Sequence, residues 1–215
     1  MKITNLFRMS SDKGRTCAFT GHRPQNLPFR FNENDDRCIA LKQKLRDCIV
    51  QLIEQEGVRH FISGMAIGVD MYAAEIVLEL KAEYPFITLE AAIPCETQAA
   101  KWSEPLRDRY YKIAELCDHE TMLQKQYTSD CMQKRNQYMV NHADILLAVW
   151  DGSSSGTGST VRYARTKNKA VWIIDPCSLE LTRAGWFIMT LSLVHLKSRL
   201  SPWREESAFL RLIFQ

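Results

Sequence analysis

The segment from residue 132 to residue 161 constrains the fold of this chain most, because it predicts a helix, a buried strand and a glycine/serine loop in direct succession. Residues 144–150 are short, apolar and end abruptly at Asp151-Gly152, as does a buried parallel strand that delivers a loop to a sheet edge. From Thr157 onward the pattern is helical. Such loops are often only connections. Here, however, glycines allow close backbone approach and the next helix adds unpaired N–H groups, which favours an anion site.

Two other predicted strands end in loops of the same kind. A first strand, residues 16–20, breaks at Gly21-His22-Arg23-Pro24, which places a glycine turn beside a guanidinium group. In the turn at residues 63–70, Gly64 and Gly68 bracket the passage from strand to helix. The carboxyl ends of parallel strands share one edge of an open α/β sheet, so the three loops are expected to converge on one ligand.

The rest of the chain alternates helices and strands without internal repeats. Apolar residues at helical spacing run from Leu41 to Ile53, the helix is expected to end at Gly57, and a strand follows over residues 58–62. The further predicted elements are helices at 68–82, 105–117 and 130–141 and strands at 86–92, 120–123 and 171–175. This alternation predicts an α/β fold: a Rossmann-like three-layer sandwich with a mostly parallel sheet and helices on both faces.

Composition excludes several classes of protein. The 215 residues are 46% hydrophobic, enough for a single core, and no apolar run is long enough to suggest a membrane span. The net charge of +3 is too small to indicate nucleic-acid binding by itself. Seven cysteines without a Cys-x-x-Cys pair, and an N-terminus without an apolar signal segment, predict a cytoplasmic protein.

The chain is expected to divide into three parts. Residues 1–14 form a lead-in, residues 15–180 a ligand-binding domain and residues 181–215 a C-terminal helical extension. The apolar run at 185–196 is too short to cross a bilayer. It is expected to pack on the sheet edge, with a homo-oligomer or partner surface as the alternative.

Several ordered motifs carry a resemblance to a known family. They are Thr20-Gly-His-Arg-Pro24, Ser63-Gly-Met-Ala-Ile-Gly-Val-Asp70, Ala73-Ala-Glu75, Ala92-Ile-Pro-Cys95 with Gln98 and Trp102, Arg135-Asn136, and Asp151-Gly152 with Gly156-Thr157. Over residues 15–180 the chain resembles the YpsA family of bacterial proteins, within the SLOG superfamily. The resemblance implies a Rossmann-like domain that binds nucleotides, nucleotide sugars or related metabolites, without an established reaction.

Two relatives within the superfamily suggest alternatives. Arg135, Gly156 and Thr157 resemble the nucleotide-holding residues of LOG-type phosphoribohydrolases, but Ser159 and Thr160 stand where the resemblance calls for acidic residues, among them a catalytic glutamate. An N-glycosidic hydrolase would therefore need another carboxylate, such as Glu75.

The turn at residues 63–70 also resembles the single-stranded DNA-binding protein DprA, where a basic residue is common at the position of Ile67. Nucleic acid therefore remains a possible but less favoured partner.

The predicted ligand-binding residues come from all of these loops. They are Gly21, His22, Arg23, Ser63, Gly64, Gly68, Asp70, Trp102, Arg135, Asn136, Asp151, Gly152, Gly156 and Thr157. Arg23 and Arg135 are expected to neutralise a phosphate, or else to form surface ion pairs, and His22 to contact the ligand or cap its turn. Asp70 is expected to hold a ribose hydroxyl or to stabilise a helix N-terminus, and Trp102 to flank a base or fill the core.

No metal cluster or further cofactor is indicated by the sequence. The favoured function is binding or sensing of a nucleotide or nucleotide sugar, and whether a reaction is catalysed stays open.

Overall fold

The computed structural model describes residues 14–185, in which strands and helices alternate. The elements are β1 (Arg15–Gly21), α1 (Asp36–Gln55), β2 (Val58–Ser63), α2 (Val69–Leu80), β3 (Thr88–Ile93), α3 (Glu104–Leu116), β4 (His119–Met122), α4 (Cys131–His142), β5 (Ile145–Val149), α5 (Gly156–Thr166), β6 (Ala170–Ile174) and β7 (Leu181–Ala184). A short 3₁₀ turn, Pro24–Asn26, follows β1. None of the helices in this part of the chain is both long and apolar enough to cross a membrane.

All of these strands form one sheet in the order β4-β3-β2-β1-β5-β6-β7. Every neighbouring pair is parallel except β6 and β7. The chain winds outward from β1 to β4, and α4 then returns it to β5 on the other side of β1. The direction of winding therefore reverses between β1 and β5, and in open α/β sheets ligands bind beyond the strand ends at such a point.

Helices cover both faces of the sheet, which confirms the predicted Rossmann-like architecture. On β1, Phe19 packs in the core that includes α1, α2 and α3, whereas Ala18 packs in the core of α4 and α5. Phe19 stacks on Phe61 of β2 with ring centroids 5.6 Å apart. The strand residues facing α4 and α5 include Ala18, Ala92 and Ala148, and such short side chains allow a helix to approach the strands closely.

The boundary of the domain differs from the prediction at its C-terminal end. Residues 181–184 were expected to begin a helical extension, but they form β7 and pair antiparallel with β6. The strand satisfies backbone groups on the outer edge of β6, and the Arg183 guanidinium lies 4.0 Å from the centroid of the Trp172 ring. The rest of the predicted extension, 186–215, and the lead-in up to residue 13 lie outside the described residues.

Glu90 on β3 connects two strands to α4. One carboxylate oxygen lies 3.0 Å from His60 Nε2 on β2, and the other accepts a hydrogen bond of 2.7 Å from the Tyr138 hydroxyl on α4. Desolvation alone would raise the pKa of Glu90, but the hydrogen bonds from His60, Tyr138 and Thr121 lower it to about 2.

This pKa predicts how the fold responds to acid. A carboxyl group with a lowered pKa stabilises the fold above its ordinary pKa of 4.5, and that contribution is lost as the pH falls toward about 2. Glu90→Gln should lower the urea midpoint at pH 7 and lose less further stability at pH 3 than the wild type. The matched control is Glu79→Gln, whose carboxylate is 66% exposed. An identical pH dependence in both variants would contradict the assignment.

Candidate functional site: a cleft at the ends of β1 and β5

A cleft of about 200 Å³ opens beyond the carboxyl ends of β1 and β5, where the winding of the sheet reverses. It is bounded by the end of β1, the turn after β2 and the first turns of α2, α4 and α5. The predicted site residues that line it are Gly21, His22, Arg23, Asp70, Arg135, Asn136, Gly156 and Thr157. Lining residues that sequence reasoning did not select are Thr20, Asn26, Ala66, Met132 and Ser155.

The floor of the cleft contains a buried ion pair. Arg135 Nη1 on α4 donates to Asp70 Oδ2 on α2 at 3.1 Å, and both side chains are at most 7% exposed. These helices cover opposite faces of the sheet, so the pair joins the two layers beyond the strand ends. Asp70, in the N-terminal turn of α2, therefore has Arg135 as a direct ion-pair partner.

Burial shifts the pKa values of Asp70 and Arg135 in opposite directions. Desolvation raises the pKa of Asp70, against the attraction of Arg135, and it lowers the pKa of Arg135, against the attraction of Asp70. Arginine nevertheless stays protonated at neutral pH. Arg135 Nε is buried without a hydrogen-bond acceptor among the described residues, which is a costly state for a cationic N–H group. The guanidinium therefore has an N–H group that can still donate a hydrogen bond.

Three glycines allow close packing between the loops at these strand ends. A Cβ on Gly64 would lie 1.3 Å from Arg135 Nη1, and a Cβ on Gly21 would lie 2.4 Å from Cβ of Val69. Gly68 has a φ of +100°, and its Cβ would lie 2.9 Å from the carbonyl oxygen of His22. The sequence pattern therefore reflects close packing between loops at these positions.

The turn after β2 is held by two polar side chains. Ser63 Oγ donates to the Asp70 carbonyl at 2.8 Å and accepts from the Met65 N–H at 3.1 Å. Gln98, from the loop after β3, donates to the carbonyls of Met65 at 2.8 Å and Gly64 at 3.3 Å. Met65 is buried in the left-handed region at φ 56°, which costs energy for a residue with a side chain. Gln98 matched the family motif, but no local signal indicated this contact.

His22 connects the ends of β1 and β5. Its Nε2 lies 2.8 Å from Asp151 Oδ1, and its backbone N–H donates to the Val149 carbonyl at 3.3 Å. Desolvation raises the pKa of Asp151, but hydrogen bonds from Ser153 and His22 outweigh it and bring the value to about 2. An ionised carboxylate only accepts hydrogen bonds, so Nε2 of His22 carries a proton. Nδ1 forms no hydrogen bond with another described residue.

The N-terminus of α5 forms one wall of the cleft. Ser155 caps this helix, and its Oγ accepts from the Gly158 N–H at 3.1 Å. The N–H groups of Gly156 and Thr157 lie in the first turn and have no intrahelical acceptor. A serine just before a helical pattern is a recognised N-cap signal and provides the means to predict Ser155 from the sequence.

Some predicted residues lie elsewhere. Glu75 pairs with Arg109 of α3 through both of its oxygens, at 2.6 and 2.5 Å, and neither side chain lines the cleft. Trp102 packs edge to face on Tyr110 with centroids 5.5 Å apart, also away from the cleft. Gly152 has a φ of +87° and lines a separate shallow cavity at the ends of β5 and β6. Within residues 14–185, no group of three His, Cys, Asp or Glu side chains is placed to bind a metal.

A family model described as the YspA SLOG family, with the short name YpsA, matches residues 17–179. The chain belongs to this family. The match confirms the resemblance seen in the loop motifs and covers β1 to β6.

Relatives with similar sequences are bacterial. The Bacillus subtilis "Uncharacterized SPbeta prophage-derived protein YoqJ" is 32% identical over 152 residues, which are 64% of this chain and 89% of that protein. The UPF0398 protein BH1768 of Halalkalibacterium halodurans is 30% identical over 173 residues, which are 77% of this chain and 90% of that protein.

Two solved structures have a similar fold. DNA processing protein A from Helicobacter pylori matches with a TM-score of 0.53 at 19% identity, over 86% of this chain and 74% of that one. The Streptococcus pneumoniae protein of the same name matches with a TM-score of 0.52 at 16% identity, over 87% and 57%. At these identities the similarity supports the fold alone.

The contact between Gly64 and Arg135 yields a stability prediction. Gly64→Ala should destabilise the protein by about 1–3 kcal/mol, because the new methyl group overlaps the guanidinium and forces it to move. Gly156→Ala is the matched control, since a Cβ there meets no atom within 4 Å. Urea unfolding followed by circular dichroism measures both variants. Equal stability of the two would show that the guanidinium does not lie against Gly64.

The ion pair yields a second stability prediction. Arg135→Met should destabilise the fold by about 3–5 kcal/mol, because it leaves the buried Asp70 carboxylate without a counter-ion. Asp70→Asn combined with Arg135→Met removes both charges and should recover most of that loss in the same unfolding experiment. If the double variant is no more stable than Arg135→Met, the unpaired carboxylate is not the cause.

Proposed function

We propose that the cleft binds the phosphate group of a nucleotide or nucleotide-derived metabolite. The observation that carries the proposal is the convergence of Arg23, the N-terminal turn of α5 and the buried Arg135, whose Nε has no acceptor among the described residues. Helix N-termini and arginine N–H groups are both favourable partners for phosphate oxygens.

The balance of charge supports an anionic ligand. Asp70 and Arg135 offset each other, and Asp70 is the only carboxylate among the described residues that line the cleft. Arg23 is exposed and forms no ion pair within residues 14–185. One uncompensated cation and the positive end of α5 therefore remain to attract an anion.

The same balance gives no support to glycosidic hydrolysis. Such a reaction depends on a carboxylate beside the scissile bond. Asp70 is committed to Arg135, and the alternative carboxylate, Glu75, is bound to Arg109 outside the cleft. Binding is the function that these contacts favour.

Single-stranded DNA is the second candidate ligand. The Helicobacter pylori protein with the similar fold is described by its title as having a single-stranded DNA binding mode. A DNA backbone would offer the same phosphate group to Arg23 and α5, with an affinity that falls steeply as salt increases. A test of the cleft therefore needs both mononucleotides and an oligonucleotide.

Arg23→Gln should weaken nucleotide binding roughly 10- to 100-fold, because it removes a charge-assisted hydrogen bond. Isothermal titration with nucleoside mono- and diphosphates and uridine diphosphate sugars measures the change. The matched control is Arg165→Gln, which removes the same charge from an exposed position in the last turn of α5.

Two results would overturn the proposal. One is equal affinity in the Arg23 and Arg165 variants, and the other is no binding of any of these nucleotides by the wild type. Fluorescence anisotropy with a labelled oligothymidine at two salt concentrations tests the second candidate. Salt-dependent binding of the oligonucleotide, lost in Arg23→Gln and without binding of mononucleotides, would make DNA the ligand.

A further inference from the structure

A larger groove lies between α4 and α5 and continues from the cleft. It has a volume of about 570 Å³ and shares Met132, Asn136 and Gly156 with the cleft. The cleft, at about 200 Å³, is smaller than the roughly 300–1,000 Å³ typical of pockets for small-molecule ligands. A ligand whose phosphate lies in the cleft therefore has room to extend only if it enters a neighbouring space such as this groove.

Interhelical hydrogen bonds hold the groove at two points. Asn136 Nδ2 on α4 donates to Thr160 Oγ1 on α5 at 3.0 Å, next to the cleft. Farther along, the Tyr163 hydroxyl donates to Asn141 Oδ1 at 3.1 Å. The two helices are thus tied at fixed points, and the groove between them is formed before a ligand arrives.

The side chains along the groove suit a flat heterocycle with polar edges. Gln133 and Gln137 lie one helical turn apart on α4, and neither amide forms a hydrogen bond with another described residue. Each amide carries both donors and an acceptor, which is the complement that nucleobase edges require. Met132 and the ring of Tyr163 add apolar surface for the face of a base.

We infer that the groove is a nucleobase subsite for the ligand whose phosphate lies in the cleft. The inference rests on the proposed function and narrows its ligand to a nucleoside phosphate, rather than a sugar phosphate or inorganic phosphate. Gly156 and Thr160 are about 6 Å apart along the axis of α5, at a rise of 1.5 Å per residue. A pentose of similar size would connect a phosphate at the first residue to a base beside the second.

The experiment compares a nucleoside monophosphate with ribose 5-phosphate, because both present the same phosphate and pentose and only the first has a base. Isothermal titration of the wild type should show at least one of AMP, GMP, CMP and UMP binding about 10-fold or more tightly than ribose 5-phosphate. Gln133→Ala/Gln137→Ala should reduce that preference and leave the affinity for ribose 5-phosphate unchanged. Gln43→Ala/Gln55→Ala, two exposed glutamines of α1, is the matched control and should keep the preference.

Each contrary outcome has a distinct meaning. If ribose 5-phosphate and all four nucleotides bind equally to the wild type, the base subsite is wrong and the phosphate site stands. If the Gln133/Gln137 variant keeps the preference, the groove does not hold the base. The groove also does not hold the base if the Gln133/Gln137 variant changes only the molar mass of the protein in sedimentation equilibrium. In that case the groove is an interface between copies of the chain. If none of these probes binds, the base subsite is wrong, and the proposed function fails as well if nucleoside diphosphates and uridine diphosphate sugars also do not bind.

Discussion

The buried pair between Asp70 and Arg135 is the interaction on which the site depends. It joins the two helical layers beyond the ends of the strands, and its guanidinium fits only because residue 64 has no side chain. The Coulomb attraction between two such buried charges does not by itself offset the free-energy cost of removing them from water. A gain in the stability of the fold therefore does not explain the pair. The pair instead holds an arginine in a fixed, buried position with an N–H group still uncommitted. Rigidity of this kind lowers the entropic cost of binding an anion.

Much of the fold could be predicted from the sequence because its signals are local. Apolar periodicity and turn residues placed the second strand at 58–62, against the observed Val58–Ser63, and the fourth helix at 130–141, against Cys131–His142. The convergence of the three loops followed from topology, since parallel strands present their carboxyl ends at one edge. The cationic, glycine-rich character of the cleft could therefore be predicted without knowledge of side-chain packing.

Features that depend on distant contacts could not be predicted in this way. The four residues of β7 are too few for a periodic pattern, and they form a strand only because β6 offers an unpaired edge. The role of Gln98 depends on a turn that lies more than thirty residues earlier in the chain. Glu75 had the right chemistry for a catalytic carboxylate, but Arg109, on a different helix, binds it. Sequence motifs identify residue types, whereas the partner of each residue is set by tertiary packing.

The close packing at Gly21, Gly64 and Gly68 has a consequence for which positions around the cleft can change in sequence. At each of these positions even one added methyl group would meet a neighbouring loop or side chain. These three residues therefore have almost no freedom to be replaced by residues with a side chain. The rim is different, because Arg23 and Gln133 are exposed. On the proposed function, substitutions that alter ligand preference should accumulate at the rim and along α4. The rim can then change in sequence while the ion pair at the floor of the cleft stays the same.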